Sequence, residues 1–366
     1  MTAERGIAQP ILPGSTIGIL GGGQLGRMTA IAARTMGYRV HALDPDPECA
    51  AKAVVDRLIT ARFTDADAAA ELARHCDVVT LEIEHLGPAA LFAAREHAPV
   101  RPAPEIPAII QDRATQKRWL VDHGFPVGAY RDVTDSTSVA TAFRDLGPLF
   151  VKATHGGYDG RGQVQIHGAN DIEARWTGLG VSAAVAEQAV DLECELSVMV
   201  ARAPNGECRV YSPALNHHER QALAWSVLPA PIPDELVRRA TALAMDIAHA
   251  FKLEGLMAVE MFAARDKRLL VNELAPRPHN SGHWTIDACV TSQFEQLVRA
   301  ITGQPLGSTE RLADAVMDNL IGDDVNRWPE ILADPRAKLH LYGKTQARPG
   351  RKMGHVTRLF PRPHQS

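Results

Sequence analysis

The stretch PLFVKATHGGYDGRGQVQIHG, residues 148–168, places two apolar strand patterns on either side of a glycine-rich connection. That arrangement predicts a hairpin with an unusually long loop. Gly156, Gly157, Gly160 and Gly162 let the backbone follow the oxygens of a polyphosphate, and Lys152 and Arg161 add positive charge. The loop joins two strands rather than opening a helix, so no helix dipole is at hand and the segment reads as a flexible lid. It is not a Walker loop, because G-x-x-x-x-G-K-[ST] is absent. The alternative reading of such a segment is a long, solvent-exposed turn.

Outward toward the N-terminus, apolar strand-like runs alternate with Ala-rich helical stretches from Ser15 to about Pro104: TIGIL, QLGRMTAIAARTMG, YRVHALD and DVVTLEIEHL. The rhythm predicts an open parallel sheet with crossover helices. Pro99, Pro102, Pro104 and Pro107 punctuate its end as a boundary where helices are disfavoured. A helix is expected from about Asp112, its cap, to Gly124, its stop. Toward the C-terminus, LECELSVMV and LMAVEMF read as strands of an α+β domain. The expected fold is therefore mixed α/β and α+β. It comprises a Rossmann-like N-terminal domain over 1–111, a small lid domain over 112–185, and a C-terminal domain over 186–366 that carries the metal and substrate sites.

A second glycine cluster competes for attention. Gly21, Gly23 and Gly26 satisfy G-x-G-x-x-G between a strand and a helix, and Asp44 ends the next strand. By rule this is a dinucleotide-binding fingerprint, which alone would point to a nicotinamide or flavin cofactor. The competing reading is a tight turn that packs a helix against a sheet. A protein that bound NAD there would need no acidic pair elsewhere, yet the sequence supplies one. Glu260 lies in LMAVEMF and Glu273 in LLVNEL, with the polar turn AARDKR between them. A hairpin centred on Asp266 and Lys267 pairs Phe262 with Val271 and sets Glu260 opposite Glu273. Like charges facing each other in a sheet ask for a cation, and hard oxygen ligands beside phosphates indicate magnesium. On this register Asn272 points to the other face unless the strand carries a bulge. One glutamate solvated on an edge strand is the alternative.

Composition bounds the function classes. A chain of 366 residues, 45% apolar and 22% charged, is expected to hold two or three packed domains. A formal net charge of -4 disfavours nucleic-acid and polybasic membrane partners but leaves a small anionic substrate open. The five cysteines, Cys49, Cys76, Cys194, Cys208 and Cys289, show no C-x-x-C spacing, so neither a disulfide framework nor structural zinc is expected. His217, His218, His279 and His283 lack an H-E-x-x-H pattern. No run approaches the roughly 18 apolar residues of a membrane span, and a cytoplasmic protein is expected.

GILGGGQLGRM, DRATQK, VKATHGGYDGRGQ, VNELAPRPHNSGHWT and YGKTQARPGRKMGHV together resemble the ATP-grasp superfamily, and within it the carboxyaminoimidazole ribonucleotide synthetases. The resemblance spans nearly the whole chain. It implies an ATP-dependent ligase that joins bicarbonate to the amino group of aminoimidazole ribonucleotide through carboxyphosphate, in a homodimer. Carried over by position, it gives Arg113 and Lys152 as basic ATP ligands and Gly157, Tyr158, Asp159, Gly160, Arg161, Gly162 and Gln163 as the phosphate lid. Glu187, Gln188, Ala189 and Val190 would meet adenine, Glu195 the ribose hydroxyls, and His218 the nucleotide. Asn272 and Glu273 fall among the ATP-contacting positions, and Glu260 with Glu273 would hold magnesium. Gln24, Glu82, Tyr158, Asp159, Arg277, Lys344 and Arg351 would meet the ribonucleotide. Arg277, His279 and Asn280 would hold bicarbonate or carboxyphosphate, and His279 could take the amine proton or serve structurally. A formate-dependent glycinamide ribonucleotide transformylase is the nearest alternative. One departure stands out: the family's Glu-Asn-x-His followed by Gly-Ile is here LNHHERQALAWS, which retains Asn216 and His218 but not the glutamate or glycine.

Overall fold

The computed structural model describes residues 9–156, 162–219 and 221–362. Among these, the strands form three sheets. β1 (Thr16–Leu20), β2 (Arg39–Asp44), β3 (Arg57–Thr60) and β4 (Val78–Leu81) make a parallel sheet in the order β3-β2-β1-β4. The helices α1 (Gln24–Thr35), α2 (Ala66–Ala73) and α3 (Pro88–Arg95) are its crossovers. All of TIGIL is buried, which is why that strand is continuously apolar rather than alternating.

The proline-rich stretch does not exclude helix as expected. α4 (Glu105–Ile110) runs through Pro107. Pro107 occupies the first turn, where a backbone N–H has no intrahelical acceptor, so its absence costs nothing. α5 (Arg113–Asp122) follows. The Asp112 side chain caps it by accepting from the Thr115 N–H at 2.6 Å, and Gly124 leaves it at a φ of +76°.

The central sheet contains β5 (Tyr130–Val133), β6 (Leu149–Ala153), β7 (Gln163–Ile166) and β8 (Ala184–Gln188), all antiparallel, in the order β5-β8-β6-β7. β6 and β7 are the hairpin of the long glycine loop, with Lys152 paired to Gln163. β8 belongs to this sheet and runs to Gln188. The helices α6 (Ser136–Leu146) and α7 (Ile172–Leu179) cover it through Val139, Ala142 and Ile172, which pack on Leu149, Val151 and Ile166.

The third sheet is antiparallel and has nine strands: β9 (Leu192–Arg202), β10 (Cys208–Val210), β11 (Ala214–Glu219), β12 (Ala222–Leu228), β13 (Gly255–Ala264), β14 (Leu269–Ala275), β15 (Asp314–Ile321), β16 (Ala337–Leu341) and β17 (Lys352–Phe360). Its order is β14-β13-β9-β11-β12-β15-β17-β16, with β10 on β9. α8 (Asp234–Ala250) buries Ala240, Ala244 and Ile247 against Met257 and Val259. Burying each large aliphatic side chain contributes about 1.5–3 kcal/mol. The helix over Gln293–Thr302 presents Leu297, Val298 and Ile301 to Ile17, Ile19 and Leu256, joining the parallel sheet to the nine-stranded one. Glu84 beyond β4, Ala153 and Thr154 at the end of β6, and Glu273 of β14 line a common cleft between the three sheets.

Candidate active site

The N-terminus of α5 places Arg113 and Lys117 one turn apart on one face, pointing at β8 and β14. Glu187 of β8 sits opposite Phe150 of β6, so Lys152, two residues along β6, is its diagonal neighbour on the same face. Three cations therefore surround one buried carboxylate. Lys117 Nζ lies 3.2 Å and Lys152 Nζ 3.3 Å from Glu187 Oε2, and Arg113 Nη1 lies 3.8 Å from Oε1. Burial pushes the Glu187 carboxyl up, but Lys152, Lys117 and Arg113 overcome it and bring it to about 2. Arg113 also reaches Glu273 Oε2 at 3.0 Å.

Glu260 does face Glu273, but through a different register from the one the turn suggests. Phe262 pairs with Leu270 and Met261 with Val271, and a bulge then restores Glu260 opposite Glu273. The additional residue is Asn272. Its Oδ1 accepts from Lys152 Nζ at 3.3 Å, so the bulge turns Asn272 toward the cleft beside Glu273. The two carboxylates share one face of the hairpin with unequal partners, the Glu260 side chain 14% exposed and that of Glu273 39%. Burial and then Glu273 raise Glu260 above the usual carboxylate range, whereas Arg113 and Lys152 outweigh the burial of Glu273 and hold it below that range. Among the described residues, no three His, Cys, Asp or Glu side chains converge as a complete metal cage. Two carboxylates are nonetheless the protein's usual share of a magnesium site whose remaining ligands are phosphates and water.

On the other side of Glu260, His279 Nε2 lies 3.4 Å from Oε1, and its Nδ1 is 2.9 Å from Ser281 Oγ. Burial, then Arg277, lowers His279 to about 3, so the ring is neutral. Asn280 is buried, and neither its Oδ1 nor its Nδ2 has a protein partner. A buried amide left open in this way is a ready contact for a ligand or water. Glu195, next to Phe262 and Asn216 in register, is 2.7 Å from His218 Nδ1. Burial lowers His218, but the adjacent Glu195 carboxylate, with the charges of Glu260 and Glu273, outweighs it and the ring is raised. Within the divergent LNHHERQALAWS stretch, Gln221 carries a φ of +68°, in the left-handed region.

Of the expected adenine-reading segment, the Gln188 and Ala189 N–H groups already donate to Ala129 O and Pro148 O, each at 2.8 Å. Glu187 lies within the β8 ladder, and no backbone acceptor is found for the Val190 N–H among the described residues. Gly162 and Gln163 are described, but Gly157, Tyr158, Asp159, Gly160 and Arg161 lie outside the described residues.

The first glycine cluster differs from expectation. Its amides are not an open anion surface, because the chain fills it with its own carboxylates. Gly22 N–H donates to Asp44 Oδ2 at 2.7 Å, Gly23 N–H to Glu82 Oε1 at 2.5 Å and Gly26 N–H to Glu82 Oε2 at 2.6 Å. The glycines serve this close approach: a Cβ on Gly23 would stand 2.5 Å from Glu82, and one on Gly26 would stand 2.6 Å from Gly21 O. Asp44, the fingerprint acid, is turned inward and buried rather than presented to a ribose. Gln24 opens α1 beside this turn, and Lys344 Nζ donates to Gln24 Oε1 and to Lys352 O, each at 2.7 Å. Arg351 Nη1 donates to Gln346 O at 3.0 Å in the same C-terminal loop. Lys117 and Glu84 were missed by reading the sequence. Lys117 stands four residues after Arg113 in DRATQK, a helical spacing that could have flagged it. Glu84 carries no motif of its own.

Three family models match successive parts of the chain: a ribonucleotide synthetase preATP-grasp domain over residues 15–111, an ATP-grasp domain over 118–294, and a phosphoribosylaminoimidazole carboxylase C-terminal domain over 315–365. Fold and site together make this an ATP-grasp ligase. The N5-carboxyaminoimidazole ribonucleotide synthase of Brucella melitensis is 44% identical over 96% of this chain and 98% of that protein. Its Bacillus subtilis counterpart is 42% identical over 95% and 92%. The chain belongs to the N5-carboxyaminoimidazole ribonucleotide synthase family. Among solved structures, an ADP complex of such a synthetase superposes with a TM-score of 0.93 at 41% identity, covering 96% of this chain and 94% of that one. The Aspergillus clavatus enzyme with ADP and 5-aminoimidazole ribonucleotide gives 0.90 at 33% identity, covering 95% and 94%. Matches of this length do not favour the formate-dependent alternative.

Proposed function

We propose that this protein carboxylates the amino group of 5-aminoimidazole ribonucleotide with bicarbonate, in a magnesium- and ATP-dependent reaction of purine biosynthesis that passes through carboxyphosphate. The observation that carries the reading is the facing Glu260–Glu273 pair beside Lys152 and Arg113. Two facing acids within reach of two cations suit a nucleotide-borne divalent ion, and they are a poor arrangement for any apolar or uncharged ligand. The bound magnesium would neutralise charge developing on the phosphates.

The chain's own residues do the rest. Lys152 and Arg113 hold phosphate oxygens, and the Val190 amide reads the adenine edge. Glu195, oriented by His218, accepts from the ribose hydroxyls. Bicarbonate is a poor electrophile, so one of its oxygens must first be phosphorylated to become part of a leaving group. Arg277 and the open amide of Asn280 meet the bicarbonate and then the carboxyphosphate. His279, neutral and set against Glu260, keeps that acid in place, and its lowered basicity makes it a poor acceptor for the amine proton. Gln24, Glu82, Lys344 and Arg351 receive the ribonucleotide, the last two suited to its phosphate. The glycine hairpin over 156–162, with Tyr158 and Asp159, excludes water from an intermediate that hydrolyses readily.

The three sheets support a division into N-terminal, lid and C-terminal domains, with the lid taken to Gln188. Cytoplasmic location and a homodimeric assembly belong to the same proposal, and the five unpaired cysteines suit a reducing compartment. The test is Glu273→Gln, which keeps shape and removes one metal acid. Turnover is expected to vanish in a protein whose circular dichroism is unchanged, and near-normal ADP release by that folded variant sinks the assignment.

A further inference from the structure

The segment Glu82-Ile83-Glu84 after β4 sends two carboxylates to two different parts of the site. Glu82 grips the Gly23 and Gly26 amides at the start of α1. Glu84 takes the Arg277 guanidinium, accepting from Nε with one oxygen and from Nη2 with the other at 2.9 Å. Arg277 Nη1 donates in turn to Pro278 O at 3.1 Å. The side chains of Arg277 and Glu84 are only 16% and 17% exposed. A planar, bidentate pair of this kind fixes the plane of the guanidinium as well as its position. It commits three of the five N–H groups and leaves one on Nη1 and one on Nη2, which form the outer edge of the fork. Glu84 also lines a small cavity, about 40 Å³, together with Arg113, Thr154, Gly156 and Glu273. The pair therefore stands where the N-terminal sheet, the lid hairpin and the metal acids meet.

We infer that Glu84 is the positioning residue for bicarbonate. It aims the outer edge of Arg277 at the anion. Because Glu82 lies on the same short segment, Glu84 also sets the distance between the activated carboxyl group and the amine held on the N-terminal side. The inference rests on the reading that Arg277 meets bicarbonate. It adds a residue that touches no substrate and acts through that arginine.

The test combines Glu84→Gln, Glu84→Asp and Arg277→Ala with the double variant Glu84→Gln/Arg277→Ala, each assayed for ADP and for carboxylated product against bicarbonate, ATP and aminoimidazole ribonucleotide. Glu84→Gln replaces one acceptor oxygen with a donor that opposes a guanidinium N–H. It is expected to lower kcat/KM for bicarbonate by between about tenfold and a hundredfold, the range for losing a charge-assisted hydrogen bond. KM for ATP is expected to stay within about twofold, the scatter of unrelated surface changes. The ratio of ADP to carboxylated product is expected to rise, since a misplaced intermediate is lost to water. Glu84→Asp keeps the charge and is expected to recover part of the loss, and it also carries the test if the Gln variant fails to fold. In the Arg277→Ala background, Glu84→Gln is expected to add nothing. A uniform loss of activity with unchanged bicarbonate KM and product ratio, or additive effects in the double variant, overturns the inference. Arg277→Ala with normal bicarbonate kinetics overturns instead the reading of Arg277 on which it depends.

Discussion

Removing the charge of Glu187 should be among the most damaging conservative changes available to this protein, and removing one of the cations around it should not. Lys117 is fully buried, Lys152 nearly so, and both ammonium groups lie within 3.3 Å of the same carboxylate oxygen. Glu187→Gln keeps the volume but leaves these cations facing a neutral amide. The magnitude follows from the carboxyl's own titration. A fall from 4.5 to about 2, at about 1.4 kcal/mol per pH unit, corresponds to about 3 kcal/mol in favour of the ionised form. Breaking one side of a buried ion pair costs about 3–5 kcal/mol, which agrees. The sign also fixes a pH window, because a carboxyl lowered by folding contributes stability that is present above 4.5 and lost as pH falls toward about 2. Lys117→Met removes a cation that burial and the neighbouring Lys152 and Arg113 disfavour despite Glu187, and Glu187 retains Lys152 and Arg113. It should cost no more than about 1 kcal/mol. Urea unfolding followed by fluorescence at pH 7 measures both. A Glu187→Gln protein as stable as the wild type, or a Lys117→Met protein destabilised as much as Glu187→Gln, refutes the account of this cluster.

Three further outcomes follow from other parts of the molecule. His283 and His355 are fully buried, their rings 4.7 Å apart, and burial followed by neighbouring histidines holds both well below 6.5. The unfolded chain therefore binds the protons first, and stability present above pH 6.5 should fall below it, by about 1.4 kcal/mol per ring at one pH unit lower. Urea midpoints at pH 7.5 and 5.5 check this, and a His355→Gln variant with an undiminished slope contradicts it. Gly26→Ala brings a Cβ to 2.6 Å from Gly21 O and should cost about 1–3 kcal/mol, read as a lower thermal midpoint; an unchanged midpoint means the turn is not close-packed around Glu82. Gln221→Gly relieves a left-handed φ of +68° and should stabilise by up to about 1 kcal/mol; destabilisation in urea shows instead that the side chain of Gln221 matters more than its backbone.

Most of the fold was legible because its signals are local. TIGIL is buried on both faces and reads as a central parallel strand, Asp112 caps the helix it precedes, and the long loop between VKA and QVQI joins the two strands of a hairpin. What the sequence hid depends on contacts between distant segments. The bulge at Asn272 leaves no mark in a period-two pattern, yet it decides which side of the sheet that amide faces. G-x-G-x-x-G identifies a backbone that can approach an anion but not whose anion it is; here Glu82, 56 residues from Gly26, supplies it. Glu84 and Arg277, 193 positions apart, acquire meaning only when two domains are brought together. Glycine spacing reports on local backbone geometry, whereas the occupant of that geometry is a tertiary fact.

The most direct test of the central claim uses bicarbonate labelled with oxygen-18 in all positions, supplied with ATP, magnesium and aminoimidazole ribonucleotide, followed by mass analysis of the phosphate released. Attack of a bicarbonate oxygen on the γ-phosphorus, then loss of phosphate as the amine takes the carboxyl carbon, should leave one labelled oxygen in each phosphate. Phosphate carrying only unlabelled oxygen, alongside carboxylated product, contradicts the account.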